Sequence, residues 1–411
     1  MVGAGAAGLM TAITARHDGL RVLLLDGKEK IGAKILMSGG TRCNITNLAV
    51  TENDFGTETK RTVRHVLNAF PSDQVVEFFG DLGVEVLLEE GGKFFPVTHS
   101  AKTVLEALLK QVRKSGVCLA VPRKVTRVVF NDDRFLVQGS NFFYVAETVV
   151  LCTGGLSYPS TGSDGIGYEI AKSFGHRLIF TTPSLTPLKT DDEDWKSLMG
   201  VSLPACLTLR VEQKKVASYE GSFLFTHFGF SGPVILNMSR HWIRYRQNCP
   251  EDSVALFANF LPAEEETSFR DAIHRTSREH PTHSLRRFLA LRLPERFVET
   301  LLKKLDLAGS ILGQTRREDR ENLIRALFYF PLKVMEEVGY LKAEATAGGI
   351  DLAEVDSKTL ESKLQPGLFF SGEMLDADGR IGGFNFQWAW SSGRVAGRGV
   401  IKRIHEIRKA S

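Results

Sequence analysis

Cysteine is scarce in this sequence of 411 residues, and its spacing excludes several kinds of site. The five cysteines stand singly, with no C-x-x-C pair, at positions 43, 118, 152, 206 and 249. Disulfide frameworks, structural zinc sites and redox dithiols all require paired or clustered cysteines. The sequence therefore predicts no metal site and excludes enzymes that transfer electrons through a cysteine pair.

Long hydrophobic runs are also absent, since the longest are far shorter than the roughly 20 residues that cross a bilayer. The N-terminus has no basic segment followed by an apolar one, which is the pattern of a secretory signal. We therefore expect a cytoplasmic protein with no membrane partner. No internal repeat or low-complexity tract is visible, which disfavours a solenoid. The length, with 43% hydrophobic and 24% charged residues, is typical of two or three globular domains.

The first eight residues, M-V-G-A-G-A-A-G, have glycine at positions 3, 5 and 8. This G-x-G-x-x-G turn lets a backbone approach a dinucleotide pyrophosphate at the start of a helix. The pattern predicts a helix from Ala6 to His17 and a buried parallel strand from Arg21 to Leu25, which Asp26 follows. An acid at this place accepts hydrogen bonds from adenosine ribose hydroxyls. Together these features favour a dinucleotide site over a purely structural glycine turn.

Only Met1 and Val2 precede the first glycine, whereas a strand has about 5 residues on average. Either the natural start lies upstream, the N-terminus is trimmed, or the first strand is abbreviated, and we favour a truncated or misassigned start. We also expect a chain that begins at Met1 to hold a dinucleotide less firmly than an extended one.

The stretch from 27 to 47 combines glycine with positive charge. Lys34 and Arg42 supply cations, while Ser38, Gly39 and Gly40 form a loop whose amides can face a phosphate or a planar ring. The alternative interpretation is a glycine-rich surface loop with scattered cations, and the residues alone leave both open.

Further helices and strands are predicted from periodicity and turn residues. Residues 59 to 90 indicate two helices broken at Pro71 and then a strand, and 89 to 96 indicate a hairpin. A helix is predicted from Ser100 to Ser115, with Ser100 as its N-cap. The other predicted strands cover 117–121, 125–130, 135–137, 149–152, 207–211, 216–219, 254–260 and 368–371, and the other predicted helices cover 264–280, 284–291, 294–305 and 317–330, with a last helix beginning near residue 387.

Six stretches along the whole chain carry a resemblance to a known family. They are G-A-G-A-A-G-L-M (3–10), K-I-L-M-S-G-G-T-R-C-N-I-T-N (34–47), C-T-G-G-L-S-Y-P-S-T-G-S-D-G-I-G-Y (152–168), P-S-L-T-P-L (183–188), L-F-T-H-F-G-F-S-G-P (224–233) and the run from 345 to 397. The sequence resembles the bacterial 3-dehydro-bile-acid reductase-like, or aminoacetone-oxidase-like, NAD(P)/FAD-dependent flavoproteins. Two departures are Thr41, where the family loop has a third glycine, and Cys152, where alanine is usual. We expect Thr41 to alter flavin affinity and Cys152 to affect packing alone.

The resemblance implies an α/β fold in which a Rossmann-like FAD-binding domain is built from both chain ends. The predicted domains are 1–190 plus 341–411 for FAD binding, 191–263 for an inserted small β domain and 264–340 for a helical subdomain. The residues expected to bind FAD are Gly3, Ala4, Gly5, Ala6, Ala7, Gly8, Asp26, Lys34, Ser38, Gly39, Gly40, Arg42, Cys43, Asn44, Val125, Thr153, Gly154, Gly155, Gly372, Glu373, Asp376, Gly382, Gly383, Phe384, Asn385 and Gln387.

The chemistry implied is that of an oxidoreductase, because a flavin can give or accept a hydride at N5. Reduction of an activated C=C bond also needs a proton donor. Cys43, Tyr158 and His227 are the candidates that fall in family motifs, and each has a structural alternative as a packed thiol, a pocket wall or a turn residue. A second nicotinamide fingerprint is absent, so NAD(P)H is expected to bind only transiently.

The substrate stays open between a small-molecule enone and a uridine of ribosomal RNA, since the family is associated with both. Between Arg270 and Lys304 there are nine Lys or Arg and four Asp or Glu, and the last helix adds six cations. Such patches can hold a phosphate backbone, although they are more often solvated faces. A third alternative is a flavin-holding interaction protein without turnover.

Overall fold

The computed structural model describes residues 1–16, 20–250 and 253–410. The helices are α1 (Ala6–Ala15), α2 (Ala33–Thr41), α3 (Lys60–Ala69), α4 (Ser72–Asp81), α5 (Ala101–Lys114), α6 (Ile166–Ser173), α7 (Glu193–Lys196), α8 (Pro233–Asn248), α9 (Glu266–Glu279), α10 (Leu285–Ala290), α11 (Glu295–Lys304), α12 (Arg317–Phe328) and α13 (Phe384–Ala410).

The strands are β1 (Leu23–Leu25), β2 (Thr46–Asn47), β3 (Phe55–Gly56), β4 (Val86–Glu89), β5 (Lys93–Pro96), β6 (Cys118–Ala120), β7 (Val125–Asn131), β8 (Arg134–Gly139), β9 (Phe142–Ala146), β10 (Val149–Leu151), β11 (Leu178–Ser184), β12 (Leu188–Lys189), β13 (Ser202–Val211), β14 (Lys214–Thr226), β15 (Gly229–Ser231), β16 (Val254–Asn259), β17 (Phe330–Leu332), β18 (Glu336–Glu337), β19 (Ala345–Ile350), β20 (Leu368–Phe370) and β21 (Asp378–Gly379).

The chain forms two compact units. The first consists of Met1–Thr182 and Glu344–Ser411, and the second of Pro183–Ala343. Within the second unit the sheet and the helices share one hydrophobic core. Whether its β and helical parts are separate domains stays a prediction.

A parallel sheet lies at the centre of the first unit. Strand β1 pairs with β6, and β10 pairs with β20, all in parallel. Val2 lies between the two pairs and makes parallel bridges to Leu25 and Leu151. The Val2 N–H donates to Val150 O at 2.9 Å, and the Gly3 N–H donates to Leu25 O at 2.7 Å. Met1 and Val2 thus occupy the place of the central strand, and the glycine turn leaves the sheet at its carboxyl edge.

Helices α1 and α13 pack against each other through small residues beside this sheet. A methyl group built on Gly397 would lie 2.6 Å from Thr14 Cβ, so the two helix backbones approach too closely for a larger residue. The buried side chains of α1, α5 and α13 join those of the strands in one core. The predicted α/β class with a sheet built from both chain ends is confirmed.

The second unit contains a sheet with the order β17-β16-β13-β14-β15-β12-β18. Its long hairpin, β13 and β14, is antiparallel and places Leu207 opposite Tyr219. Side chains of α9, α11 and α12 complete the core of this unit. The predicted antiparallel strands and charged helices of this segment are confirmed, while α8 was not predicted; in the first unit, β9 and α6 were not predicted either.

Element ends differ from the predictions by a few residues. Helix α1 ends at Ala15, and the predicted end at His17 lies outside the described residues. Strand β1 begins at Leu23 rather than Arg21, and α13 begins at Phe384. Ser100 occupies the N-cap position of α5, but its side chain makes no capping hydrogen bond.

Candidate functional site

The glycine turn lies at the start of α1, where Gly5 is the N-cap residue. A methyl group on Gly8 would lie 1.8 Å from Gly3 O, so the turn closes on itself and only glycine fits there. The space beside Gly5 is open, with no atom within 4 Å of the place a Cβ would take. This is the geometry in which a ligand phosphate can reach the amides of a helix N-terminus.

Asp26 follows β1 and is fixed beside the turn by the backbone. Its Oδ2 accepts from the Ala4 N–H at 2.7 Å, and its Oδ1 accepts from the Lys28 N–H at 2.8 Å. Each carboxylate oxygen keeps a further lone pair for another donor. The acid predicted to meet a ribose is therefore oriented by the same turn that is predicted to face a pyrophosphate.

The loop predicted after Lys34 lies within the C-terminal part of α2 and beyond it. Ser38, Gly39 and Gly40 leave the helical conformation, and both glycines are left-handed. Arg42 stacks over the Phe95 ring at 4.0 Å and donates to Glu89 Oε1 at 2.8 Å. The Arg42 guanidinium is therefore held by the protein.

Cys43 lies in this loop with left-handed backbone (φ 62°) and no exposed surface. Burial raises the pKa of its thiol to about 12, against a smaller opposite effect of the Ser38 hydroxyl. The thiol is neutral at physiological pH, and a fully enclosed side chain does not line an open site.

A polar network joins four segments of the first unit around Glu373. The Lys34 ammonium donates to Glu373 Oε2 at 2.5 Å and to Ser157 Oγ at 2.8 Å. The Ser157 hydroxyl donates to Glu373 Oε1 at 2.6 Å, and the Thr346 N–H donates to the same oxygen at 2.9 Å. Thr346 Oγ1 in turn accepts from the N–H groups of Leu156 and Ser157. The network fixes Lys34 and Glu373 beside the loop that follows β10.

Residues 153–155 form that loop and approach the network closely. A methyl group on Gly154 would lie 3.8 Å from Glu373 Oε2, and one on Gly155 would lie 2.4 Å from Thr346 Oγ1. Thr153 Oγ1 lies 4.0 Å from Met374 Sδ. The predicted site residues of this loop and of Gly372–Glu373 therefore lie together.

The segment before α13 runs close to β2. The Asn47 amide donates to Gly382 O at 2.9 Å, and a methyl group on Gly383 would lie 2.6 Å from Thr46 O. Asn44 is 8% exposed, and its Oδ1 has no hydrogen-bond partner within the described ranges. The start of α13 is thus held against the 38–47 segment.

Three predicted residues of the C-terminal half are engaged by the protein itself. The Asn385 amide donates to Gly379 O and accepts from the Gly379 N–H. The buried Gln387 amide donates to Phe70 O and accepts from Thr46 Oγ1. Asp376 Oδ2 accepts from Thr57 Oγ1 at 3.3 Å. These side chains position the backbone of this half of the site.

Tyr158 directly follows Ser157 and has left-handed backbone (φ 49°), which a tyrosine adopts only when the surrounding structure requires it. Burial raises the pKa of its phenol, and the Glu344 carboxylate adds to the effect. Loss of water around its carboxyl group also raises the pKa of Glu344, although the residue as a whole is exposed.

The remaining predicted residues lie elsewhere. Val125 begins β7 and is buried in the first unit. His227 lies in the second unit on the turn between β14 and β15, exposed and in edge contact with the Phe228 ring. The sequence interpretation did not single out Ser157 or Thr346. The resemblance to the family could have identified them, because both residues stand inside the family-like stretches at 152–168 and 345–397.

The cations of the helical insert are mostly neutralised within the second unit. Arg270, Arg286, Arg292, Lys303 and Lys304 all form ion pairs with carboxylates. Arg275, Arg278 and Arg287 form none with the residues that the structure describes. Arg296 on α11 also has no ion pair among the described residues and donates to the carbonyls of Met199 and Ser197. Helix α9 itself has no net charge, because Glu266, Asp271 and Glu279 balance its three arginines.

The described residues also bear on two other classes of site, membrane-spanning helices and metal centres. None of their helices combines the length and apolar character that crossing a bilayer requires. None of their His, Cys, Asp and Glu side chains cluster in threes as a metal site would need. The cytoplasmic location stays a prediction.

Comparison with known proteins identifies relatives over the whole chain. The family model described as "HI0933-like protein Rossmann domain" matches residues 1–399. The ribosomal RNA dihydrouridine synthase of Escherichia coli is 33% identical over 98% of this chain and 97% of its own length. The 3-dehydro-bile acid delta(4,6)-reductase of Clostridium scindens is 32% identical over 98% of each chain. The open conformation of a flavocytochrome c3 fumarate reductase is a structural neighbour with a TM-score of 0.50 and 16% identity, covering 98% of this chain and 77% of the other.

Proposed function

The chain belongs to the HI0933-like Rossmann family of flavin-dependent oxidoreductases, and from that premise we propose that it is a reductase. It holds FAD in its first unit and transfers a hydride from NAD(P)H to an activated C=C bond. The observation that carries this proposal is the convergence of the glycine turn, Lys34, Ser157 and Glu373 at one edge of the parallel sheet.

The residues present fit FAD on two observations. The open space beside Gly5 leaves room for a pyrophosphate on the amides of α1. The buried Asn44 Oδ1, which lacks a partner within the described ranges, faces the segment of Gly383 and can accept from a ring N–H. Asp26 would bind the adenosine ribose, and Glu373 with Lys34 would bind the ribityl chain.

When bound, FAD supplies a hydride donor and acceptor at N5. The chain's own residues then have three tasks. The amides of 382–384 and the N-terminus of α13 stabilise negative charge, because a helix N-terminus carries partial positive charge. The loop 38–44 walls one side of the site. A proton donor completes the saturation of a C=C bond.

Tyr158 is the strongest of the three candidate proton donors. It follows Ser157 directly in the chain, and its raised pKa keeps the proton on the phenol until substrate accepts it. Cys43 is enclosed on every side, and its thiol hydrogen has no open path. His227 lies on an exposed turn of the second unit, whereas the network belongs to the first.

The substrate is proposed from the two relatives, one named a bile acid reductase and the other a synthase of dihydrouridine. A small-molecule enone is the first candidate, because most cations of the insert are paired. A uridine of ribosomal RNA is the second, supported by the 33% identity to the synthase and by Arg275, Arg278 and Arg287. A flavin-holding protein without turnover is the third alternative.

Anaerobic mixing with NADPH and with NADH tests the proposal. The flavin absorbance of the purified protein should bleach with one donor and recover when an enone is added. A flavin that stays oxidised with both donors rejects a reductase and favours the protein without turnover. Dihydrouridine mapping of ribosomal RNA from a deletion strain separates the two substrates, since an unchanged map rejects the RNA candidate.

A further inference from the structure

Two arginines in the first half of the last helix have no carboxylate partner among the residues that the structure describes. Lys402 and Arg403 on the same helix pair with Glu406, and Arg403 also pairs with Glu361. Arg394 and Arg398 have no ion pair or hydrogen bond with any residue that the structure describes. Four residues apart, they lie on one face of α13, where two like charges destabilise a helix.

The Arg394 side chain is held rather than free. Its guanidinium carbon lies 4.3 Å from the centre of the Phe70 ring. Phe70 is itself fixed to α13, because its carbonyl accepts from Gln387 Nε2 at 2.7 Å and from the Ser391 hydroxyl at 2.8 Å. The ring therefore holds the guanidinium group in place beside α13.

Without an anion beside it, this arrangement of positive charge destabilises the folded protein. Arg394 is partly buried, and its Nε is enclosed without an acceptor among the described residues. Burial and the neighbouring Arg398 both lower the pKa of Arg394, which is the direction expected where positive charge lacks compensation. Buried or partly buried charges are otherwise paired in proteins.

We propose that Arg394 and Arg398 form an anion site for a phosphate group on the outer face of α13, separate from the flavin site. Two guanidinium groups on one helix face, one of them held by the Phe70 ring, can bind the oxygens of a phosphate through paired N–H donors. Exposed Arg398 gives the ligand access, and Arg394 on its aromatic platform gives the site its rigidity. The phosphate is carried by a small molecule or by the backbone of RNA.

Thermal unfolding of the protein as purified tests the site without any enzymatic reaction. The variants are Arg398→Gln, which changes an exposed residue, and Arg394→Met, which keeps the apolar stem against Phe70. Lys402→Gln on the same helix is the matched control. Tm is measured in phosphate and in chloride at equal ionic strength and pH. The wild type and the control should gain about 2–4 °C more in phosphate than the two arginine variants do.

General salt effects are common to all four proteins, so only the difference between them counts. Equal phosphate shifts in all four overturn the proposal. A second outcome also overturns the proposal. If both arginine variants lose more Tm in chloride than the control does, the two guanidinium groups stabilise the fold without a bound phosphate. Fluorescence anisotropy with oligouridine identifies the source. If Arg398→Gln weakens the binding of oligouridine at least tenfold, the phosphate belongs to RNA. If the variants bind oligouridine as the wild type does, the phosphate belongs to a small molecule.

Discussion

The Lys34 ammonium lies 2.5 Å from Glu373 Oε2, although 339 residues separate the two in the chain. Lys34 is on α2 near the first strand, and Glu373 follows β20 near the last helix. Ser157, from the loop after β10, joins both. One ion pair thus connects the two ends and the middle of the first unit at the proposed flavin site.

Loss of this pair should release the flavin rather than unfold the protein. Lys34→Met and Glu373→Gln each remove a charge-assisted hydrogen bond, worth about 1.5–3 kcal/mol. We expect FAD retention, measured as bound flavin per protein after gel filtration, to fall about tenfold or more. Lys189→Gln is the control, because its pair with Glu336 in the second unit is exposed and contributes little. Full flavin content in both variants would contradict the assignment.

The glycine turn offers a sharper separation of folding from binding. Gly8→Ala places a methyl group 1.8 Å from Gly3 O and should destabilise the protein by about 1–3 kcal/mol in denaturant unfolding. Gly5→Ala enters open space with an extended backbone (φ −78°, ψ −170°) that alanine adopts freely. We expect Gly5→Ala to keep the stability of the flavin-free protein within about 0.5 kcal/mol and to lose flavin. Retained flavin in Gly5→Ala would show that no phosphate approaches this turn.

Local patterns in the sequence predicted the turn, Asp26 and most helices and strands, because each depends on neighbouring residues. They did not identify Thr346, which binds the Ser157 amide from 189 positions away. Partner choice at such separations depends on the topology of the sheet, which no local pattern contains. Gln387 is a second example. A polar residue there can either face an open site or bind the protein, and only the structure shows that its amide donates to Phe70 O.

The cysteines should differ sharply in reactivity, since the thiolate is the reactive form. Cys118 is exposed, whereas Cys43 and Cys152 are buried and burial raises the pKa of both thiols. Iodoacetamide at pH 8 should therefore label Cys118 in the folded protein and reach Cys43 only after denaturation, as peptide mass spectrometry can show. Cys43→Ala and Cys43→Ser should leave enone reduction intact. A large loss of rate in both would restore Cys43 as the proton donor.

Acid should destabilise the second unit through His241. Burial and the flanking Arg240 and Arg244 lower its pKa from 6.5 to about 4, and its Nε2 lies 2.9 Å from Tyr219 Oη. Because the folded pKa is depressed, the stabilisation is complete above pH 6.5 and is lost as pH falls towards 4. The loss in the free energy of unfolding is on the order of 3 kcal/mol. His241→Gln should flatten the fall in Tm between pH 7 and pH 4, and His227→Gln, on an exposed turn, should not. Equal pH dependence in all three would contradict the prediction.

Tyr158→Phe tests the proposed proton donor directly. It should reduce kcat for enone reduction by about 100-fold or more, since general acids contribute about 10²–10⁴ in rate. Flavin content and bleaching by NAD(P)H should be unchanged, because neither step needs the phenol. Tyr144→Phe, on β9 of the same unit, is the matched control.

The pH profile gives a second, independent readout for Tyr158. Burial and Glu344 raise the pKa of the phenol above its usual 10, so the proton stays in place at neutral and mildly alkaline pH. The rate of enone reduction by the wild type should stay constant up to pH 10 and decrease only above it. Glu344→Gln removes the nearby negative charge, so the decrease in rate should begin at a lower pH. A wild-type profile that falls below pH 9, or one that Tyr158→Phe leaves unchanged, would assign the proton to another group.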